Sequence, residues 1–274
     1  TLGAGLLRRP RLESRLEGGL DRNLILVSAP AGFGKTTLVS QWLEARGYPA
    51  AWLSLHEDDA NLLTFLRYVI ASIRTLHADA CPMTWAMLEA LQEPPAEDLT
   101  ISLVNELCEI SPNFLLVLDD YHRIKSQPVH KLVETLVEHM PPSLHLVLAT
   151  RADPPLPLAS LRAGHKMLDL RAGDLQFTPD EVKAYFEQFV GIEADPGLLT
   201  ALAQRTEGWI VGLRLAALWL RDGGELPVPA RSFGGTNRDV IEYLVAEVLS
   251  QQPEVLQKIL ARSSILARFC APLL

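Results

Sequence analysis

The chain has 274 residues, 48% of them apolar and 21% charged, with a formal net charge of −8. That composition excludes a disordered tail, a collagen-like fibre and a coiled-coil rod, and its acidic balance argues against a domain that grips DNA by itself. Three widely spaced cysteines (Cys81, Cys108, Cys270) suit neither a disulfide framework nor a zinc site, which points to a reducing, cytoplasmic setting.

Taken in order, the chain opens on a short mixed segment with Arg8, Arg9 and Arg11, unlike a signal peptide. Asn23–Ser28 reads as a strand, followed by a glycine-rich turn and an amphipathic helix over 36–46. Ala50–Leu55 is a second strand. A helix follows over 61–76, with apolar residues at helical spacing (Leu62, Phe65, Leu66, Val69, Ile70, Ile73). Pro94, Pro95 and Pro112 bracket a helix over 97–109. Asn113–Leu118 is a third strand, 129–139 a helix stopped by Pro141 and Pro142, and Leu144–Thr150 a fourth strand. A weak fifth lies at 167–170. Strands this apolar are covered by helices on both faces, so a parallel sheet is expected. No apolar run is long enough to cross a bilayer.

After Pro157 helical patterns dominate. Thr178-Pro-Asp-Glu181 is a helix start, with Thr178 as cap and acid in the first turn. Helices are expected over 198–205, 209–221, 239–249 and 253–262. The apolar ending Ala271–Leu274 has no helix stop and reads as a boundary inside a domain.

The sharpest motif is Ala29-Pro-Ala-Gly-Phe-Gly-Lys-Thr-Thr37, which matches the phosphate-binding loop G-x-x-x-x-G-K-[ST] except at its first position, where alanine stands. Pro30, Ala31, Gly32, Phe33 and Gly34 form the loop, whose amides face a nucleotide's phosphates. Lys35 adds a point charge, and Thr36, followed by Thr37, supplies a hydroxyl for Mg²⁺. The partner motif is Phe114-Leu-Leu-Val-Leu-Asp119-Asp120: Asp119 would bind Mg²⁺ and Asp120 polarise the attacking water. Thr150-Arg151 closes the fourth strand, which lies between the other two in P-loop proteins of the additional-strand type. Arg151 there either senses the terminal phosphate or makes a structural ion pair. His122, alone in a loop, is read as exposed, and Trp209 as core.

Together these stretches resemble the STAND-type signal-transduction ATPases, specifically the MalT-like, LuxR-type transcriptional activators. The resemblance rests on Arg9–Leu16, Leu26–Leu38, Leu116-Val-Leu-Asp-Asp-Tyr-His122, Thr150–Leu158, Asp174–Thr178 and Thr206-Glu-Gly-Trp-Ile-Val-Gly-Leu213. It implies a P-loop nucleotide-binding domain over 1–157, an all-α helical domain over 158–228 and the start of a winged-helix domain over 229–274. It also implies a switch that rests with ADP, self-associates with ATP, and resets by slow hydrolysis. Inducer and DNA would be bound by further domains. Many related ATPases touch adenine through a Gly-x-Pro proline; Gly208-Trp-Ile210 has isoleucine instead. Leu7–Arg11, Arg11 included, is the candidate for the other side of the base pocket. A catalytic motor or remodelling ATPase of another P-loop class, and a scaffold that binds nucleotide without hydrolysis, are the alternatives.

Overall fold

The structure, a computed structural model, describes residues 6–91, 94–189 and 196–221, with the side chains of 205 and 218–221 excepted. The expected helices over 239–249 and 253–262, and the winged-helix segment 229–274, lie outside the described residues.

Five strands form one parallel sheet: β1 (Leu24–Ser28), β2 (Ala50–Ser54), β3 (Phe114–Asp119), β4 (Leu144–Thr150) and β5 (Met167–Arg171). Their order is β2-β3-β4-β1-β5. β4 is thus inserted between the strand leading to the phosphate loop and the strand ending in acids, as expected of the additional-strand type. The weak fifth strand is real and pairs with β1, Leu26 opposite Asp169.

Side chains alternate across each strand, which divides the core in two. Leu24, Leu26, Phe114, Leu116, Leu118, Leu146 and Leu148 face helices α3 (Leu62–Arg74), α4 (Pro82–Leu88), α5 (Ala96–Cys108) and α6 (Gln127–Glu138). Ile25, Val27, Leu115, Val117 and Val147 face α1 (Pro10–Glu17), α2 (Lys35–Arg46) and the short α8 (Ala172–Leu175). The short α7 (Leu158–Ala163) precedes β5. With both faces covered, β1 and β3 are buried along their whole length, which explains their unbroken apolar sequence.

Helix α1 is short, and it is tied down firmly. Leu12 and Leu16 are fully buried. The buried guanidinium of Arg9 donates to the carbonyl oxygens of Leu175 and Gln176, both at 2.8 Å. Such charge-assisted bonds use up carbonyls that the C-terminal end of α8 would otherwise leave to water.

The chain divides into two compact units, the first ending at Gln176. The sequence places the end of the first domain at 157; in the structure α7 and β5 complete the sheet and carry that unit on to 176. The second unit begins at Phe177 and contains α9 (Pro179–Phe189), α10 (Pro196–Thr206) and α11 (Ile210–Arg221). Thr178 caps α9 as expected: its hydroxyl accepts from the Glu181 amide at 3.2 Å, and Glu181 Oε2 accepts from the Thr178 amide at 2.9 Å. The Glu-Gly-Trp stretch makes the α10–α11 turn, with Gly208 at φ +67°. A Cβ on Gly212 would meet both Thr206 and Trp209 at 3.1 Å, so that glycine serves close packing inside the second unit.

Three histidines are held below their usual range, mainly by burial. His122 is pushed down to about 4, against a raising effect from Asp120. His130, whose Nδ1 lies 2.9 Å from the Tyr121 hydroxyl, and His145 on β4 are also lowered. The unfolded chain takes up these protons near pH 6.5 and the folded chain does not, so stability falls as pH drops from about 6.5 towards 4. The urea midpoint is expected to fall between pH 7 and pH 5, and to fall less in His130→Gln. Equal midpoints at both values would contradict the burial of these rings.

Candidate nucleotide site

All five strands run the same way, so their C-terminal ends share one edge of the sheet, where the loops of parallel α/β proteins build sites. The order β3-β4-β1 sets three features side by side there. β3 contributes Asp119 and Asp120, β4 contributes Arg151, and β1 runs into the phosphate loop. The Ala29 amide donates to the Thr150 carbonyl oxygen at 3.2 Å, stitching the base of that loop to β4. Ala29, in the position usually held by glycine, is buried and packs in the core.

Gly32 and Gly34 have φ of +76° and +77°. Both positions are left-handed, and glycine adopts them without the Cβ cost. Gly34 is also the residue before α2, so the loop turns directly into the helix's first turn of unpaired amides. Phe33 packs partly buried against the α1/α2 side of the core and anchors the loop's outer limb. Pro30 and Ala31 lie in the turn and Thr37 in the first turn of α2.

Lys35 is 7% exposed, and its Nζ donates to the Pro30 carbonyl oxygen at 3.0 Å, folding the side chain back over the loop. Burial pushes its pKa down to about 8, the Arg151 charge adds to the fall, and Asp120 and Asp119 oppose it. An anion beside it would restore the proton's hold. The Thr36 hydroxyl donates to Asp119, 2.9 Å from Oδ2 and 3.2 Å from Oδ1. Asp119 is 4% exposed, and burial raises its pKa while the Thr36 bond lowers it. A buried carboxylate beside a hydroxyl suits a divalent cation.

Asp120 sits at φ +55°, a left-handed backbone that steps off the strand line, and its amide donates to Asp119 Oδ1 at 3.0 Å. Its half-exposed carboxylate lies 3.8 Å from His122 Nδ1 and 3.7 Å from Arg123 Nε. His122 is not the exposed loop histidine read from the sequence: its side chain is 18% exposed and uncharged at neutral pH. Asp120, Arg151, Arg123 and Lys35 all act on its titration, so the turn after β3 gathers these groups within electrostatic reach of one another. Arg151 is half-buried at the end of β4. Asp153 in the loop that follows pairs with Arg171 on β5, which also pairs with Asp169 of its own strand; neither pair is read from the sequence. Arg11 lies on α1, with its guanidinium 3.0 Å from the Asp174 carbonyl oxygen and 3.3 Å from that of Gln176. Leu6, just before α1, lies beside α2, its carbonyl accepting from Gln41 Nε2 at 3.3 Å.

These residues fit a magnesium-nucleotide. Glycines free the loop amides, a buried lysine lies over them, and Thr36 with Asp119 forms the hydroxyl–carboxylate pair that Mg²⁺ takes alongside phosphate oxygens. Among the described residues no cluster of three or more His, Cys, Asp or Glu could hold a metal by protein side chains alone.

The family model for the AAA ATPase domain matches residues 8–149, from just before α1 almost to the end of β4. The chain belongs to the AAA ATPase domain family. Among its relatives, the HTH-type transcriptional regulator MalT of Klebsiella pneumoniae is 34% identical over 262 residues, 94% of this chain and 29% of that protein. The serine/threonine-protein kinase PknK of Mycobacterium tuberculosis is 31% identical over 271 residues, 98% of this chain and 24% of that protein. The chain thus spans about a quarter of the length of the curated relatives it matches. Among solved structures, Cdc6p from Pyrobaculum aerophilum has a TM-score of 0.49 at 16% identity, covering 82% of this chain and 65% of that one. No helix among the described residues is long and apolar enough to cross a membrane.

Proposed function

We propose that this AAA ATPase domain is the ATP/ADP-binding switch module of a MalT-like, LuxR-family transcription regulator of the STAND class, acting in the cytoplasm in signal transduction. The observation that carries the nucleotide reading is the Thr36–Asp119 pair at 2.9 Å beside the buried Lys35. The nucleotide, when bound, supplies the phosphate charge that distinguishes the two states of the switch. Residues 30–37 hold the phosphates: loop amides surround them, Lys35 neutralises them, and Thr36 and Asp119 hold Mg²⁺. Asp120 orients water and takes its proton, with His122 beside it. Arg151, from the neighbouring strand, reads the third phosphate and stabilises charge that develops there. Arg11 and the segment before it form one side of the base pocket. Self-association in the ATP state, an inducer and DNA belong to the same reading, the last two bound by other parts of a longer protein.

A switch needs differential affinity of only a few kcal/mol and no fast turnover. Purified chain is therefore expected to retain ADP, to hydrolyse ATP far below the ~1 s⁻¹ floor of ordinary enzymes, and to sediment as a larger species with ATP than with ADP. Turnover at or above that floor, with no nucleotide-dependent change in size, would favour a motor and overturn the switch reading.

A further inference from the structure

The turn after β3 is anchored by a buried polar pair. Asp120 steps off the strand at φ +55°, and a short 3-10 turn follows over Tyr121–Arg123. The Arg123 amide donates to the Asp120 carbonyl oxygen at 3.0 Å, and the Ile124 amide to that of Tyr121 at 3.1 Å. Three-residue spacing puts Tyr121 and Ile124 on the inner side, 1% and 4% exposed, in the apolar cluster between the sheet and α3–α6. Asp120, His122 and Arg123 stay half-buried. The turn also packs beside β4, the strand that leads to Arg151.

The Tyr121 hydroxyl lies 2.9 Å from Nδ1 of His130 on α6, a residue that is itself only 5% exposed. The two rings are tilted by 58°, with centroids 5.6 Å apart. Burial lowers the hold of His130 on a second proton and raises the pKa of the Tyr121 hydroxyl, so both are neutral at pH 7. One hydrogen bond then joins them in either imidazole tautomer. A phenylalanine facing a leucine would fill the same space without taking two polar groups out of water. What the polar pair adds is direction. Apolar contacts tolerate sliding, whereas a hydrogen bond in dry surroundings fixes a distance and an angle. A left-handed backbone at a residue other than glycine persists where its surroundings hold it, and this bond holds the residue next to Asp120.

We propose that the Tyr121–His130 hydrogen bond positions Asp120: it ties the turn to α6 and so aims the Asp120 carboxylate at the water that attacks the terminal phosphate. Tyr121 and His130 are positioning residues, too deeply buried to touch the nucleotide. Their role rests on the reading of Asp120 as the group that orients water. Misplacing a reacting group by about 1 Å costs up to about 10²-fold in rate. Phosphate and metal binding are assigned to Lys35, Thr36 and Asp119, which lie outside the turn, so the effect falls on hydrolysis and not on affinity.

Tyr121→Phe keeps the ring and removes the hydroxyl, His130→Leu removes the ring nitrogens, and His130→Asn returns an amide near the place of Nδ1. Ser143→Ala is the control. It removes another buried hydroxyl bond, to the Leu107 carbonyl oxygen at 2.9 Å, at the opposite end of β4 from Arg151. Each variant is followed by single-turnover ATP hydrolysis, calorimetric ATP binding, urea midpoint and NMR titration of the His122 ring in nucleotide-free chain. Tyr121→Phe and His130→Leu are expected to slow hydrolysis about 10- to 100-fold, with ATP affinity within about threefold. The double variant is expected to be no slower than the slower single one, and His130→Asn to retain most of the parental rate. A loosened turn admits water to His122, whose titration is expected to rise from about 4 towards 6.5 in both slow variants. Ser143→Ala is expected to lower the urea midpoint and leave rate and titration unchanged. Parental hydrolysis in Tyr121→Phe, or a His122 titration that does not move, overturns the proposal and leaves the nucleotide reading intact. A parent chain that binds no nucleotide overturns that reading and, with it, the role in hydrolysis.

Discussion

Asp120→Asn is expected to slow ATP hydrolysis by about 10²- to 10⁴-fold, the usual worth of a positioned general base, while ATP affinity stays within about threefold. Asp119, not Asp120, is the acid bonded to Thr36 at 2.9 Å, so metal and phosphate binding stay with the residue that is left intact. Asp120 steps off the strand at φ +55°, and asparagine tolerates that backbone as well as aspartate does, so the substitution changes proton affinity without a backbone cost. Its carboxylate is half-exposed, flanked by His122 and Arg123 beyond hydrogen-bonding distance, so water has access to it. On the switch reading the variant accumulates in its ATP-bound state. Single-turnover hydrolysis and calorimetric ATP binding, run on the same preparation, separate the two effects. Loss of affinity together with hydrolysis would move Asp120 into the binding machinery.

The largest stability effect is expected at Trp42. Trp42→Ala should destabilise the first unit by about 3–5 kcal/mol, read as a lower urea midpoint with little change in slope. Trp42 lies fully buried on α2, in the cluster that joins α1, α2 and β1. Its ring meets Tyr48 edge-on at 5.6 Å, and its Nε1 donates to Glu17 Oε1 at 2.8 Å. Glu17 also accepts from the Tyr48 hydroxyl at 2.8 Å and pairs with Arg46 at 2.9 Å, so its pKa is lowered despite its burial. Removing the indole opens a cavity and takes a donor from that carboxylate in one change. Trp42→Phe keeps most of the apolar area and loses only the donor, at a cost of about 1–2 kcal/mol. Because α2 begins with Lys35 and Thr36, the alanine variant should also show nucleotide-dependent rescue of its midpoint. An unchanged midpoint in Trp42→Ala would contradict the described core.

The sheet was legible because parallel strands buried on both faces have to be apolar throughout, and glycine, lysine, threonine and paired acids punctuate them at places that chemistry dictates. The site's main groups were legible for the same reason: residues 29–37 and 119–120 are local motifs, and the strand insertion that brings Arg151 beside them is a property of the fold type. Helix α1 was hidden because its helicity rests on burial of Leu12 and Leu16 and on Arg9 reaching carbonyls more than 160 residues away. β5 is weak in sequence since the charged Asp169 and Arg171 interrupt its apolar run, and both are taken up by ion pairs, with each other and, for Asp169, with Arg162. The first compact unit extends to Gln176 because a strand that looks marginal in sequence joins the edge of the sheet. The sequence does not show that His122 is buried, because a lone histidine two residues past Asp120 carries no pattern of its own. Its burial comes from the turn that Asp120's left-handed backbone creates.

A nucleotide held by the phosphate loop is what every assigned role in the site requires. Calorimetric titration of Mg²⁺-ATP and Mg²⁺-ADP into nucleotide-stripped chain, alongside Lys35→Ala, tests this most directly. Both nucleotides are expected to bind the unmodified chain, and Lys35→Ala to bind about 10- to 150-fold more weakly, the value of one charge-assisted contact. A folded chain that binds neither nucleotide, or a Lys35→Ala variant with unchanged affinity, would contradict it.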